Sequence, residues 1–511
     1  MKIERTKNAA RGILAGMLLK VCMMVLPLLM RTAMIYLMGV KYLGLNGLFT
    51  SILHTLNLAE MGVGMVMVYG MYKPIAEDDT SQISALLNLY RKYYRIIGLV
   101  IAVAGVLLTP VIPKLITGEI PSELNIYVLY YLNLAATVMT YWLYAYKKSL
   151  LQAHQRVDIL SLISVLTNVV QYVVQFLVLY FTRDYYLYVL VLMATMALNN
   201  VVSAIVVDKK YPDYKPRGTL PKTEIKKINQ SVRDLVTGKV GNVVLKSVDT
   251  IVISAYMGLD ILAIYQNYYF ILTSISNIFE IILSSLTAGL GNSIVVETKQ
   301  KNYRDLKVLS LMFTWLTGVS TCCLLGMYQP FMMLWVGQEL MLEYGIVICF
   351  AVYFYVLVLN RLLNIYKDAA GIWHQDRFRP LIAAIVNLTL NLLLIRRWGL
   401  YGILLSTVIA IGLVEIPWVM WNLFKYMFSK VHLKEFVLHL LGNIGATALS
   451  GTIIVHMCKY VQGNNLVTLI VCAAISAVIP NVIFYLVYRK DEAFKESCKL
   501  VFRLIKRRKA L

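Results

Sequence analysis

Apolar residues occupy most of the chain in long runs, which short polar segments separate. A helix needs about 20 apolar residues to cross the ~30 Å of hydrocarbon in a bilayer. The runs therefore predict an all-α polytopic membrane protein. Fourteen runs qualify as transmembrane helices, within the limits 12–38, 43–70, 96–116, 126–146, 159–181, 185–207, 234–257, 260–288, 308–328, 344–366, 381–395, 399–421, 436–458 and 466–488.

The seventh predicted helix is the least apolar, because it contains Lys239, Asn242, Lys246 and Asp249. If this helix is omitted, thirteen spans remain, and every later loop moves to the opposite side of the membrane. Lys and Arg concentrate in cytoplasmic loops. With fourteen spans, 38 of the 49 Lys and Arg residues lie on the side that carries both termini, and six lie on the other side when Lys114, at the outer end of the third span, is counted there. This asymmetry favours fourteen spans with both termini in the cytoplasm.

The composition agrees with a membrane protein and argues against several classes of function. Of the 511 residues, 59% are hydrophobic and 15% are charged, whereas soluble domains carry about 25% charged residues. The net charge of +22 is explained by topology and by attraction to anionic lipids at the cytoplasmic face, so no nucleic-acid partner is predicted. The chain contains no C-x-x-C pair and no phosphate-binding loop. We therefore expect no metal, no cofactor and no enzymatic activity.

The two halves of the chain resemble each other. Residues recur at an offset of 219 or 220: Lys20-Val21 with Lys239-Val240, Met38-Gly39 with Met257-Gly258, Glu60 with Glu280, His154-Gln155 with His374-Gln375, and Asn168 with Asn387. Six spans per unit is an even number, so the units are parallel repeats. The prediction is a six-helix bundle in 1–207, a basic cytoplasmic linker in 208–233, a second bundle in 234–427, and helices 13 and 14 with a basic cytoplasmic tail in 428–511.

Several charged residues fall at membrane depth, where each costs at least ~2.5 kcal/mol and usually faces a bundle interior or a cavity. Lys20 and Arg31 share one face of helix one, because they are eleven residues apart. Lys239, Lys246 and Asp249 share one face of helix seven, the repeat equivalent of helix one. The two faces together predict a cationic cleft that binds an anionic group such as phosphate.

A structural interpretation of these residues stays open. Lys20 would then extend to the cytoplasmic interface, and Lys246 would pair with Asp249. Glu60 and Glu280, near the middle of helices two and eight, are candidates either for proton or sodium coupling or for structural pairing with a basic residue. Arg361 and Glu415 are candidates for a cytoplasmic gate or for anchoring at the interface.

The sequence contains two distinctive sets of motifs. The first set is Tyr42-Leu-Gly-Leu-Asn-Gly-Leu-Phe49, Leu58-Ala-Glu-Met-Gly-Val-Gly64 and Tyr72-Lys-Pro-Ile-Ala76. The second is Gly371-Ile-Trp-His-Gln-Asp-Arg-Phe-Arg-Pro380, with Asn387 and Trp398-Gly-Leu-Tyr-Gly402. Both sets resemble bacterial polysaccharide-repeat-unit flippases of the multidrug/oligosaccharidyl-lipid/polysaccharide exporter superfamily. The resemblance extends over essentially the whole chain.

This resemblance implies a V-shaped pair of bundles that moves an undecaprenyl-pyrophosphate-linked oligosaccharide from the inner to the outer leaflet of a bacterial cell membrane. Alternating access would drive the step, for capsule or surface polysaccharide assembly, with glycosyltransferases and a polysaccharide polymerase as candidate partners. Four alternatives stay open: a peptidoglycan-precursor lipid flippase, a cation-coupled drug exporter of the same superfamily, a non-transporting scaffold for membrane glycosyltransferases, and a membrane glycosyltransferase.

Overall fold

The computed structural model of the protein describes residues 5–60, 62–461, 463 and 465–499. Every regular element in these ranges is helical, which confirms the predicted all-α class. The α-helices are α1 Arg5–Leu37, α2 Val40–Leu56, α3 Val63–Ala76, α4 Thr80–Leu108, α5 Ile126–Trp142, α6 Lys148–Ala153, α7 Val157–Thr182, α8 Tyr185–Lys210, α9 Lys222–Val296, α10 Lys299–Trp335, α11 Tyr344–Ala369, α12 Arg379–Ile409, α13 Ile416–Tyr426, α14 Val431–Lys459 and α15 Asn465–Tyr488. Residues 500–511 of the predicted basic tail lie outside the described ranges.

The helices of the structure give fewer candidate membrane spans than the fourteen that the sequence predicts. Within the described residues, ten helices are long and apolar enough to cross a membrane, or eleven when α5 and α6 count as one bent span. Two of the ten, Val240–Val296 and Arg379–Tyr426, each cover two predicted spans. Each contains two helices that meet at a kink, at Gly258 in the first and at Gly399 in the second. The predicted count of fourteen is therefore not confirmed, although each predicted range consists largely of helix.

The chain forms two compact units, 1–263 and 264–511. In the first unit, α1 packs against α7, and α5 packs against both α4 and α8. The first part of α9 is held to this unit at both of its ends. Near its start, Gln82 Nε2 donates to Glu224 Oε1 over 2.9 Å, and near Gly258 the Thr117 amide donates to the Ser254 carbonyl over 3.1 Å.

In the second unit, α10 packs against α11, α14 and α15. Small residues allow the close approach of these helices, as is common in membrane bundles. Gly318 lies against Thr447 and Phe484, and Gly326 lies against Ser476. The helices predicted as an addition to the repeat, α14 and α15, therefore contribute directly to the core of this unit.

Glycines in an unusual backbone conformation support the internal repeat. Gly39 and Gly258, which are 219 residues apart, have φ values of +104° and +87°. Gly118 and Gly337 share the same offset, with φ values of +91° and +82°. L-residues with a side chain rarely adopt such angles. The same backbone conformation at equivalent positions is what a duplicated helical unit would produce.

Candidate functional site

The basic residues of α1 lie in different surroundings. The side chain of Lys20 is exposed and that of Arg31 is half-buried. Arg31 interacts electrostatically with Tyr172 of α7 and Tyr188 of α8, so it lies against the neighbours of α1 in the first unit. Of the two residues, Arg31 is therefore the one that the packing holds in a defined position.

For the two lysines of helix seven, which complete the predicted cationic cleft, the structure describes only the backbone. Lys239 and Lys246 belong to α9, and their side chains lie outside the described part of the structure. Asp249 on the same helix is 5% exposed, and the nearby Ser247 Oγ lies 3.3 Å from Nδ1 of His54. A cleft that joins Lys20, Arg31, Lys239 and Lys246 therefore stays a prediction.

Glu60 is surrounded by tyrosine hydroxyls. It ends a short 3₁₀ segment, Asn57–Glu60, between α2 and α3. Tyr94 donates a hydrogen bond of 2.7 Å to Oε1 of Glu60, and Tyr141 donates one of 2.7 Å to Oε2. Tyr90 in turn donates to the hydroxyl oxygen of Tyr94 over 2.8 Å. Both carboxylate oxygens of Glu60 thus accept a hydrogen bond from a tyrosine hydroxyl.

Glu280 has a basic partner. Its Oε2 lies 3.2 Å from Nη1 of Arg361, with the Glu280 side chain 62% exposed and that of Arg361 20% exposed. Arg361 also donates to the main-chain carbonyl of Ser276, one turn before Glu280. The structure therefore joins two of the residues that the sequence had placed in different roles, the coupling candidate Glu280 and the gate candidate Arg361.

Glu415, the second gate candidate, belongs to a separate buried network. Its Oε1 lies 3.1 Å from Nη1 of Arg379, and its Oε2 accepts a hydrogen bond from Asn360. Arg379 Nε lies 2.9 Å from Oδ1 of Asp376, and Lys367 Nζ lies 3.3 Å from Oδ2 of the same aspartate. Lys367, Asp376, Arg379 and Glu415 are all buried, and Lys367 Nζ also lies 2.8 Å from Oδ1 of the half-exposed Asp368.

Sequence reasoning missed Lys367, Asp376 and Arg379, which it assigned to a cytoplasmic loop between helices. The only signal was that Asp376 and Arg379 fall within the motif Gly371–Pro380. Glu415 ends a π-helical turn, Ala410–Glu415, and such turns often occur at functional sites. No group of three or more metal-binding side chains occurs among the described residues.

The repeated histidine also differs between the halves. His154 is 4% exposed, and its ring stacks on that of Tyr211 with centroids 4.3 Å apart. Burial lowers the pKa of His154, and the positive charge of Lys210 lowers it further. Its counterpart His374 is exposed. The neutral form of His154 is therefore part of the folded structure near neutral pH.

The fold matches solved transporters over most of the chain. Lipid II flippase MurJ, in an inward closed conformation, has a TM-score of 0.69 at 14% identity, covering 94% of this chain and 99% of that protein. An inward-facing multidrug resistance transporter of the MATE family has a TM-score of 0.60 at 14% identity, with 82% and 99% covered. A MOP superfamily transporter from Pyrococcus furiosus has 0.54 at 14%, with 84% and 96% covered.

These likenesses define the class of protein: a multi-pass membrane protein with the fold of MOP superfamily transporters, the multidrug/oligosaccharidyl-lipid/polysaccharide exporters. A family model described as "Polysaccharide biosynthesis protein" matches residues 9–287. The chain belongs to this family. No curated protein sequence matches the chain significantly. The family match and the shared fold confirm the resemblance that the sequence motifs predicted.

Proposed function

We propose that the protein moves an undecaprenyl-pyrophosphate-linked oligosaccharide from the inner to the outer leaflet of a bacterial cell membrane, for capsular or surface polysaccharide assembly. One combined observation carries the proposal. The polysaccharide biosynthesis family covers residues 9–287, while the fold matches the lipid II flippase MurJ over 94% of the chain. A polysaccharide precursor attached to a lipid is the passenger that we infer from the two together.

The proposed binding group for the pyrophosphate consists of Lys20, Arg31, Lys239 and Lys246. Arg and Lys bind phosphate through charge-assisted hydrogen bonds. Arg31 supports this role, because its half-buried guanidinium lies within the apolar span Leu14–Leu37, toward the end of that helix, and charged residues within membrane spans usually serve a function. Alternating access of the two units would then expose the passenger first to the cytoplasm, where both termini lie, and then to the outside.

The first experiment is a deletion of the gene, followed by extraction of lipid-linked oligosaccharide. A membrane-impermeant reagent that modifies sugars reports which leaflet the oligosaccharide faces. We expect complete repeat units to accumulate on the cytoplasmic side while surface polysaccharide is lost. Normal pools accompanied by new drug sensitivity would assign the protein to the drug exporters instead. Accumulation of truncated sugars would favour a scaffold or an enzyme.

A second experiment tests the binding group. Lys239→Ala and Lys246→Ala should each reduce export of the polysaccharide without reducing the amount of folded protein. The matched control is Lys227→Ala, because Lys227 is exposed near the start of the same helix α9. Wild-type export from both variants at equal expression would remove Lys239 and Lys246 from the site.

A peptidoglycan-precursor flippase is a second candidate function, which the TM-score of 0.69 to the lipid II flippase favours. The deletion experiment separates the two, because that function would cause lipid-linked peptidoglycan precursors to accumulate. The polysaccharide function would leave those precursors at their normal level.

A further inference from the structure

A cavity of about 350 Å³ lies within the first unit, beside the tyrosine cluster of Glu60. Its polar lining comes from four segments of the chain and includes Glu60, Tyr90, Tyr94, Tyr141, Lys148 and Gln152. Small-molecule sites usually occupy about 300–1,000 Å³. The cavity therefore suits a compact ligand of about one sugar ring.

Two interrupted helices meet at this cavity. The helical path from α2 to α3 is broken at the 3₁₀ segment that ends in Glu60. The path from α5 to α6 bends by 47°, and Tyr144 at the bend has a left-handed φ of +57°. Irregular backbone at membrane depth is tolerated where it lines a cavity, and transporter binding sites are typically formed by such discontinuous helices. The interruptions between α2 and α3 and between α5 and α6 therefore indicate that the cavity is a binding site.

The two charged groups in the lining offset each other. The ammonium of Lys148 interacts electrostatically with the carboxylate of Glu60. An ion of either sign would be attracted by one group and repelled by the other, so the lining gives no net preference for a cation or a phosphate. A neutral ligand can hydrogen-bond to both groups.

The hydrogen-bonding groups favour a ligand with many hydroxyls. The protons of Tyr90, Tyr94 and Tyr141 are already donated within the cluster, so their oxygens retain lone pairs that can accept. Lys148 donates one hydrogen bond, to Asn199 over 2.6 Å, and keeps two further protons. The amide of Gln152 can both donate and accept. A sugar hydroxyl both donates and accepts, and tyrosine rings offer apolar faces to the sugar ring.

We propose that this cavity binds one neutral sugar residue of the passenger and thereby contributes to the choice of oligosaccharide. The inference rests on the proposed function, because the sugar belongs to the lipid-linked passenger. The site lies within one unit of the protein and is distinct from the proposed pyrophosphate-binding group.

The test is saturation-transfer difference NMR on the purified full-length protein in nanodiscs. The probes are free glucose, galactose, rhamnose and N-acetylglucosamine. Wild type should give a transfer signal with at least one of them. Lys148→Gln should weaken that affinity about tenfold through loss of a charged donor, and Tyr94→Phe should also weaken it. The control is Tyr93→Phe, because the Tyr93 hydroxyl donates to Asn229 and does not line the cavity.

Three results would overturn the proposal: no signal with any probe, equal signals in wild type and Lys148→Gln, or displacement of the sugar by sodium ions or inorganic phosphate. Thermal unfolding of each variant checks that it folds. The assay uses free sugars, so its failure is distinguishable from failure of the proposed function. A protein that binds sugar here but leaves lipid-linked oligosaccharide unaffected in the deletion experiment would keep the cavity assignment and lose the flippase role.

Discussion

The hydroxyl of Tyr141 donates a hydrogen bond of 2.7 Å to Oε2 of Glu60. The residues 220 positions further on are Arg361 and Glu280, and they form an ion pair of 3.2 Å. The two halves thus preserve a contact between equivalent positions while its chemistry changes from a neutral donor to a charged one. Such a contact is expected from duplication followed by divergence of the two units.

The first prediction follows from the different environments of the two glutamates. Glu280→Gln should lower the free energy of unfolding by ~0–1 kcal/mol, because the glutamine carbonyl can still accept a hydrogen bond from Arg361. Tyr141→Phe should cost ~1–2 kcal/mol, because Glu60 then loses one of its donors. Thermal unfolding in a fixed detergent measures both. A larger loss of stability for Glu280→Gln than for Tyr141→Phe would contradict the conclusion that the hydrogen bond to Glu60 contributes more than the ion pair of Glu280.

The second prediction concerns the buried network around Glu415. Arg379→Met should destabilise the protein by ~3–5 kcal/mol, because it leaves Asp376 and Glu415 buried without their main cationic partner. The matched control is Arg377→Met, two residues before Arg379, since Arg377 is exposed. The measurement is the yield and the unfolding temperature of each purified variant. Equal behaviour of the two variants would show that the network does not hold this region together.

Hydrophobic pattern was sufficient to predict the helices, because each span must bury its backbone hydrogen bonds within an apolar segment. It could not predict how helices join. A single glycine such as Gly258 lets two helices meet at a kink, and its positive φ leaves no mark in the hydropathy pattern.

The candidate site was predictable only in part, for a similar reason. Charged residues inside spans, such as Glu60 and Arg31, are conspicuous because they are costly there. Their partners are not: Tyr94 and Tyr141 come from different helices, and tyrosine is common throughout the chain. The sequence pattern places Asp376 and Arg379 in a loop, where a charge is normally solvated, whereas Arg379 is the first residue of α12 and Asp376 lies just before it. Only the packing of this segment against the ends of helices reveals that both are buried.

The third prediction is a pH dependence of stability that originates at His154. The folded protein lowers the pKa of His154, whereas the unfolded chain titrates near about 6.5. As the pH falls through this value, the unfolded state takes up the proton first, so stability is full above about pH 6.5 and decreases below it. Unfolding temperatures at about pH 7.5 and about pH 5.5 measure the loss.

The matched variants for this effect are His154→Gln and His374→Gln. The first should flatten the pH dependence, because the titrating group is removed. The second should retain the wild-type dependence, because His374 is exposed. Identical pH profiles for all three proteins would place the origin of any acid sensitivity elsewhere.

The last prediction uses the repeated glycines to separate backbone strain from steric contact. Gly39→Ala and Gly258→Ala should each cost ~1–2 kcal/mol, because alanine adopts a positive φ with difficulty. Gly258→Ala should cost more, since its new Cβ would lie 2.8 Å from the Thr117 carbonyl oxygen, whereas nothing lies within 4 Å of the equivalent position at Gly39. Gly445→Ala in helix α14 is the control and should be neutral or stabilising, because its site is open and helical. Unfolding temperatures of the three variants rank the effects, and a Gly39→Ala variant less stable than Gly258→Ala would refute the close approach of Thr117 to α9.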